Sequence, residues 1–184
     1  EAGIMDIGLN PGQYEFFTAT EPLFWARGGV GSGKTFVGSL WTVQQLSKFP
    51  KTIGLVAANT YKQLTKSTLP PLFSICSNSG FQFVFNKKPP ASWPCYKTWP
   101  DYEGVLTVHN GGQILIYSLE NWTAIRGIEC AWAWLDETAD TDPQAIGTVF
   151  ERLRAAGGQH YPGYKYQVRI TGTPNGFDYL HSIF

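Results

Sequence analysis

The sequence predicts an α/β fold of three layers, α/β/α, around a mainly parallel sheet. Three observations predict it. Apolar, strand-like runs alternate along the chain with segments of helical periodicity. Between the first strand and the first helix lies Gly28-Gly29-Val30-Gly31-Ser32-Gly33-Lys34-Thr35, which fits G-x-x-x-x-G-K-[ST]. A later apolar strand, Ala131-Trp132-Ala133-Trp134-Leu135, runs into adjacent carboxylates, Asp136-Glu137.

Each element has its own local reason. Leu9-Asn10-Pro11-Gly12 is turn chemistry, and the aromatic stretch behind it, with Gln13, Tyr14, Phe16 and Phe17, predicts at least one helical turn. Leu23-Phe24-Trp25-Ala26 is the first strand. Phe36, Val37, Leu40, Trp41, Val43 and Leu46 recur at helical spacing, which predicts a helix over residues 34–48. Pro50 punctuates, and residues 52–58 form a buried strand. Asn59 or Thr60 caps a further helix, expected to break near Pro70-Pro71. Residues 86–104, with Lys87-Lys88-Pro89-Pro90 and Trp93-Pro94-Cys95, read as an irregular insertion. Residues 105–109 and 113–117 flank Asn110-Gly111-Gly112, a β-hairpin signal. Pro143 starts a helix expected over residues 143–156, with Gly157-Gly158 beyond its end. Residues 166–170 are the last strand, leading into Thr171-Gly172-Thr173-Pro174.

Composition bounds the function. A chain of 184 residues, 43% hydrophobic and 15% aromatic, is one domain able to bury a core. With 14 basic and 14 acidic residues its net charge is zero, so nucleic-acid contact must come from local patches. The three cysteines are widely spaced, which suits a reducing compartment and offers neither a disulfide framework nor metal-ligand spacing. No apolar run approaches the ~18 residues of a membrane span. The N-terminus carries no basic and apolar leader pattern, so no signal peptide is expected.

The two motifs carry the chemistry. Glycines let backbone N–H groups converge on phosphate oxygens, and the helix N-terminus adds a favourable dipole. Lys34 would reach the β- and γ-phosphates of ATP, and the Thr35 hydroxyl would complete a Mg²⁺ shell. Asp136 would hold Mg²⁺, and Glu137 would orient and deprotonate the attacking water. Adjacent carboxylates at a strand end point in opposed directions, so one faces the metal and the other the γ-phosphate. This is the pattern of a P-loop NTPase of the ASCE/RecA-like kind, and an ATPase rather than a metabolite kinase.

Four stretches then stand in a telling order. They are Pro11-Gly12-Gln13 with Tyr14, Phe16 and Phe17; Arg27 to Thr35; Ala124-Ile125-Arg126-Gly127-Ile128 followed by Trp134-Leu135-Asp136-Glu137; and Thr171-Gly172-Thr173-Pro174. Together they resemble the ATPase domain of viral large terminases, the motors that package DNA into tailed-phage and herpesvirus capsids. The Arg126-Gly127 segment is the most discriminating, because general P-loop proteins lack it.

The resemblance implies a motor coupling Mg-ATP hydrolysis to translocation of double-stranded DNA into a procapsid. Gln13 would read the adenine edge, and Arg126 would be a finger reaching a neighbour's γ-phosphate. Arg27 would act in cis or serve as an ion-pair partner; Thr171 and Thr173 would sense the γ-phosphate. With Arg27, the loop from Gly28, Gly29, Val30, Gly31, Ser32 and Gly33 to Lys34 and Thr35 completes the nucleotide site. Implied partners are duplex DNA, the portal protein, the small terminase subunit and other copies in a ring, with no membrane. The implied location is the host cytoplasm, transiently at the portal vertex.

The family's lid is largely, and its nuclease domain with clustered aspartates entirely, missing from the pattern, so residues 1–184 read as an ATPase core from which no DNA cleavage is expected. Lys87, Lys88 and Lys97 with Trp93 and Trp99 form a basic-aromatic patch, either a DNA contact or a solvated loop. Two other readings fit these motifs: a helicase-like ATPase, and a docking module that binds nucleotide without turnover.

Overall fold

Asn10 opens the first helix. Its side chain accepts from the Gln13 backbone N–H at 2.9 Å, and the Gln13 amide oxygen accepts from the Asn10 N–H at 3.1 Å. This reciprocal cap, with Pro11 in the first turn, starts α1 (Pro11–Thr18). The computed structural model describes residues 7–173. β1 (Leu23–Arg27) leads into the glycine loop and α2 (Lys34–Lys48), followed by the wholly buried β2 (Ile53–Ala58).

A helical arm comes next: α3 (Tyr61–Gln63), one wide π turn (Leu64–Thr68) and α4 (Leu69–Asn78). The expected break at Pro70-Pro71 does not occur. Both prolines lie in the first turn of α4, where a missing N–H costs least, and the Leu69 N–H reaches back five residues to the Leu64 carbonyl. β3 (Phe83–Phe85) was not foreseen, since three residues carry no readable alternation. Residues 86–104 hold neither helix nor strand, as expected. β4 (Val105–Val108) and β5 (Gln113–Ser118) form the hairpin, and a 3₁₀ segment (Leu119–Gly127) leads to β6 (Trp132–Asp136).

α5 (Pro143–Glu151) stops five residues short of its expected end. Beyond it the backbone pairs with Cys130: the Cys130 N–H donates to the Arg152 carbonyl at 3.0 Å, and the Arg154 N–H to the Cys130 carbonyl at 2.9 Å. Those bonds compete directly with another helical turn. β7 (Gln167–Gly172) closes the sheet.

Among the described residues the sheet has seven strands in the order β1-β7-β6-β2-β5-β4-β3. The five from β1 to β5 along that order are parallel; β4 and β3 run antiparallel at one edge. α2 carries the chain from β1 across to β2, whereas α5 carries it the opposite way, from β6 to β7. Right-handed crossovers therefore place the two helices on opposite faces, giving three layers. α1 and α4 pack beside α2, and the 3₁₀ segment packs against α5.

Large indoles join α2 to the sheet. Trp41 meets Trp132 edge-on at 5.8 Å, and Trp134 lies so close beneath α2 that a Cβ on Gly38 would sit 2.2 Å from its ring. The parallel register aligns Ala58, Asp136 and Thr171 at the carboxyl edge, with Arg27 opposite Gly172. In sheets of this topology that edge is where ligands bind.

Candidate active site

The glycine loop turns into α2 through Gly33, whose φ of +77° is the left-handed conformation glycine tolerates. The space above its Cα is filled by Gln13, whose Nε2 donates to the Ser32 carbonyl at 3.2 Å. Both ends of the Gln13 amide are thus engaged, one on the Asn10 N–H and one on the loop. Val30, at the loop's crest, is 94% exposed. The first N–H groups of α2 lack intrahelical partners and face the loop.

Lys34 is buried. Its ammonium donates to the carbonyls of Gly28 at 2.7 Å and Gly29 at 2.9 Å, and lies 3.7 Å from the Glu137 carboxylate. Asp136 is fully buried and ringed by three hydroxyls. Thr171 Oγ1 donates to its Oδ1 at 2.7 Å, Thr68 Oγ1 to its Oδ2 at 2.8 Å, and Thr35 Oγ1 lies 3.2 Å from Oδ2. The Trp134 indole N–H donates in turn to Thr171 Oγ1 at 2.9 Å. Burial pushes the Asp136 carboxyl above the ordinary range; the Thr171 and Thr68 bonds pull it back, the Glu137 charge raises it, and Thr35 lowers it.

Glu137 follows with φ +49°, a left-handed backbone. Its carboxylate accepts from the Thr173 N–H at 3.1 Å and from Thr173 Oγ1 at 3.3 Å. Pro174, the last residue of that motif, lies outside the described residues. Beside the loop a cleft of about 260 Å³ opens between α1 and β1, lined by Gln13, Phe24, Arg27, Gly28, Ser32 and Lys34. Arg27 is exposed there, its guanidinium 4.4 Å over the Trp25 ring, in a cation–π contact.

The structure brings together Gln13, the loop, Lys34, Thr35, Asp136, Glu137, Thr171 and Thr173. Thr171 faces Asp136 and has no open face. Arg126 is not part of this cluster: it is exposed on the 3₁₀ segment, 4.7 Å over Trp122, while its carbonyl accepts from Arg152. Two participants had escaped the motifs. Asn10 was findable, since Asn10 and Gln13 have capping-box spacing. Thr68 carried no sequence signal.

The donor set fits Mg²⁺. A carboxylate and a hydroxyl are hard oxygen ligands, and such an ion takes its other ligands from phosphates and water. Among the described residues no group of three or more His, Cys, Asp or Glu converges on one point, as a metal caged by protein alone would require.

A family model described as terminase large subunit, T4likevirus-type, N-terminal, matches residues 26–184. The chain belongs to this large-terminase family. No curated protein sequence matches it. Among solved structures, the large terminase of the thermophilic bacteriophage D6E superposes with a TM-score of 0.75 at 16% identity, covering 97% of this chain and 42% of that one. The D6E large terminase in complex with ADP gives 0.65 at 18% identity, over 88% and 38%. The large-terminase ATPase domain of Thermus phage P74-26 gives 0.64 at 16% identity, over 96% and 69%. At these identities the likeness shows a shared P-loop fold. The chain spans less than half the length of the D6E large terminase. No helix among the described residues of this large-terminase chain is long and apolar enough to cross a membrane.

Proposed function

We propose that the chain is the ATP-hydrolysing motor domain of a large terminase, coupling Mg-ATP hydrolysis to translocation of double-stranded DNA into a procapsid. One observation carries the reading: Lys34, Thr35, Asp136, Glu137 and Thr173, from three separate chain segments, meet at the carboxyl edge of the sheet. D6E large-terminase structures with ADP and with ATP-gamma-S support nucleotide as the ligand.

In this reading the adenine enters the cleft beside Gln13 and Arg27, and the loop amides hold the phosphates. Lys34 leaves the Gly28 and Gly29 carbonyls for the β- and γ-phosphates. Asp136 and Thr35 would hold Mg²⁺, which when bound would neutralise charge on the phosphate oxygens. Glu137 takes a proton from water as the water oxygen bonds to the γ-phosphorus; the bond from that phosphorus to the bridging oxygen breaks, and ADP leaves. Thr173 senses the γ-phosphate through Glu137, and Thr171 keeps Asp136 in line. Arg126, exposed and unbonded to the site, acts on a neighbouring copy. Duplex DNA, portal protein and small terminase subunit are the partners in this role. Lys97, 4.2 Å over Trp99 in the 86–104 insertion, is the candidate DNA contact.

Titration with a fluorescent ATP analogue tests the site. Lys34→Ala should abolish binding, whereas Glu137→Gln should bind normally and lose at least about a hundredfold in turnover. Retained binding in Lys34→Ala sinks the assignment. Binding without turnover in the wild type would favour a docking module instead.

A further inference from the structure

Asp136 is held by a residue that no motif marks. Thr68 is fully buried, and its hydroxyl donates to Oδ2 at 2.8 Å. Thr171 holds Oδ1 at 2.7 Å, so each carboxylate oxygen has one threonine of its own. Trp134 occupies a lone pair of the Thr171 hydroxyl and leaves its proton for Asp136. Thr35 makes the longest contacts of the three, at 3.2 and 3.4 Å, and is the hydroxyl best able to turn a lone pair elsewhere.

Thr68 also comes from an unusual place. It ends the π turn Leu64–Thr68, in which the Leu69 N–H reaches the Leu64 carbonyl. A π turn spends an extra residue per turn and so rotates everything after it relative to an unbroken α-helix. Such turns are rare and are frequently found at functional sites. Here Pro70 and Pro71 follow at once and cannot continue an N–H ladder, and Thr65 Oγ1 bonds the Tyr61 and Lys62 carbonyls at 3.2 and 3.1 Å. The outcome is that Leu64 and Thr68 are both buried against the sheet edge while residues 65–67 stay exposed.

We propose that Thr68 is a positioning residue for the metal carboxylate. It fixes Asp136 Oδ2 while Thr35 turns toward Mg²⁺, and it ties the arm from Tyr61 to Asn78 to the metal site. The inference rests on the reading of Asp136 as the Mg²⁺ carboxylate. A bond of this kind to a metal ligand is worth about 10- to 100-fold in metal affinity.

The test uses Mn²⁺ as the probe, its binding to the ADP-loaded chain followed by electron paramagnetic resonance. Wild type, Asp136→Asn, Thr68→Val and Thr68→Ser are compared, with ADP affinity in EDTA measured in parallel. Thr68→Val should weaken Mn²⁺ by about tenfold or more and leave metal-free ADP binding unchanged, and Thr68→Ser should restore wild-type affinity. A merely structural role would lower both affinities together. Wild-type Mn²⁺ affinity in Thr68→Val, with Asp136→Asn defective, overturns the role of Thr68 alone. Equal Mn²⁺ affinity in wild type and Asp136→Asn overturns the reading of Asp136, and Thr68 with it. If Thr68→Val does not fold, hydrogen exchange on the wild type decides. Adding Mn²⁺ to the ADP complex should slow exchange at residues 64–69, and unchanged exchange there overturns the tie.

Discussion

Lys34 and Asp136 are buried charges of the site, and each is held by uncharged partners; Lys34 also has the Glu137 carboxylate at 3.7 Å, whereas Asp136 has only that like charge beside it. Carbonyls hold the ammonium and hydroxyls hold the carboxylate, so both are satisfied before any ligand arrives. The cysteines are the opposite case. Burial pushes the Cys76 and Cys130 thiols up to about 12, while half-buried Cys95 is raised less. A thiol-reactive dye at pH 8 should therefore label Cys95 quickly in the native chain, and the other two only after unfolding. The sign for stability follows. Below pH 9 both buried thiols are protonated, folded or unfolded; between about 9 and 12 only the unfolded chain releases those protons. Stability should fall across that window by about 1.4 kcal/mol per pH unit per thiol, visible in urea midpoints at pH 8 and pH 10, and the slope should flatten in Cys130→Ala. At this scale the sequence showed Lys34, Thr35, Asp136 and Glu137 plainly, because phosphate and metal chemistry fixes residue types at fixed spacing. Thr68 stayed hidden because its partner is 68 positions away and its π turn has no pattern.

At the scale of elements, α2 is fixed to the sheet by shape. Trp134 sits under Gly38 and also donates to Thr171, so the packing of α2 and the placement of the Asp136 carboxylate share one side chain. Gly38→Ala improves helix propensity yet drives a methyl into the indole. It should cost about 1–3 kcal/mol in urea unfolding, against a gain of under 1 kcal/mol from propensity. A stabilised Gly38→Ala would mean that Trp134 moves freely. The sequence foretold α1, α2, β1, β2, the hairpin and β6 because each has strong periodicity or turn chemistry. It failed at the end of α5 and at Pro70-Pro71. Backbone bonds to Cys130 ended α5 early, and a wide turn kept the arm continuous through two prolines. The Cys130 pairing is long-range and leaves no mark in a window of residues, and the wide turn, though it adjoins the prolines, has no residue pattern to read.

At the scale of the whole molecule, the proposed nucleotide site stands at one edge of the sheet and Arg126 stands outside it, over Trp122. If the finger acts between copies, turnover per chain should rise with protein concentration. Arg126→Ala should then lose at least about a hundredfold in turnover while keeping ATP binding. A wild-type chain whose specific activity is flat with concentration, or an Arg126→Ala variant with full turnover, would dismiss the finger. The strand order was legible only as a class, parallel with a hairpin. That β7 would lie between β1 and β6, and so bring Thr173 to Glu137, is decided by long-range pairing rather than by any local motif.

Glu137 sits in a backbone conformation that an L-residue avoids, at a cost of about 1–2 kcal/mol. Its two bonds from Thr173 act against that strain. The carboxylate proposed to activate water is therefore held like a drawn latch, with Thr173 as its catch. In that sense the end of β7 and the strained backbone just beyond β6 are one mechanical unit.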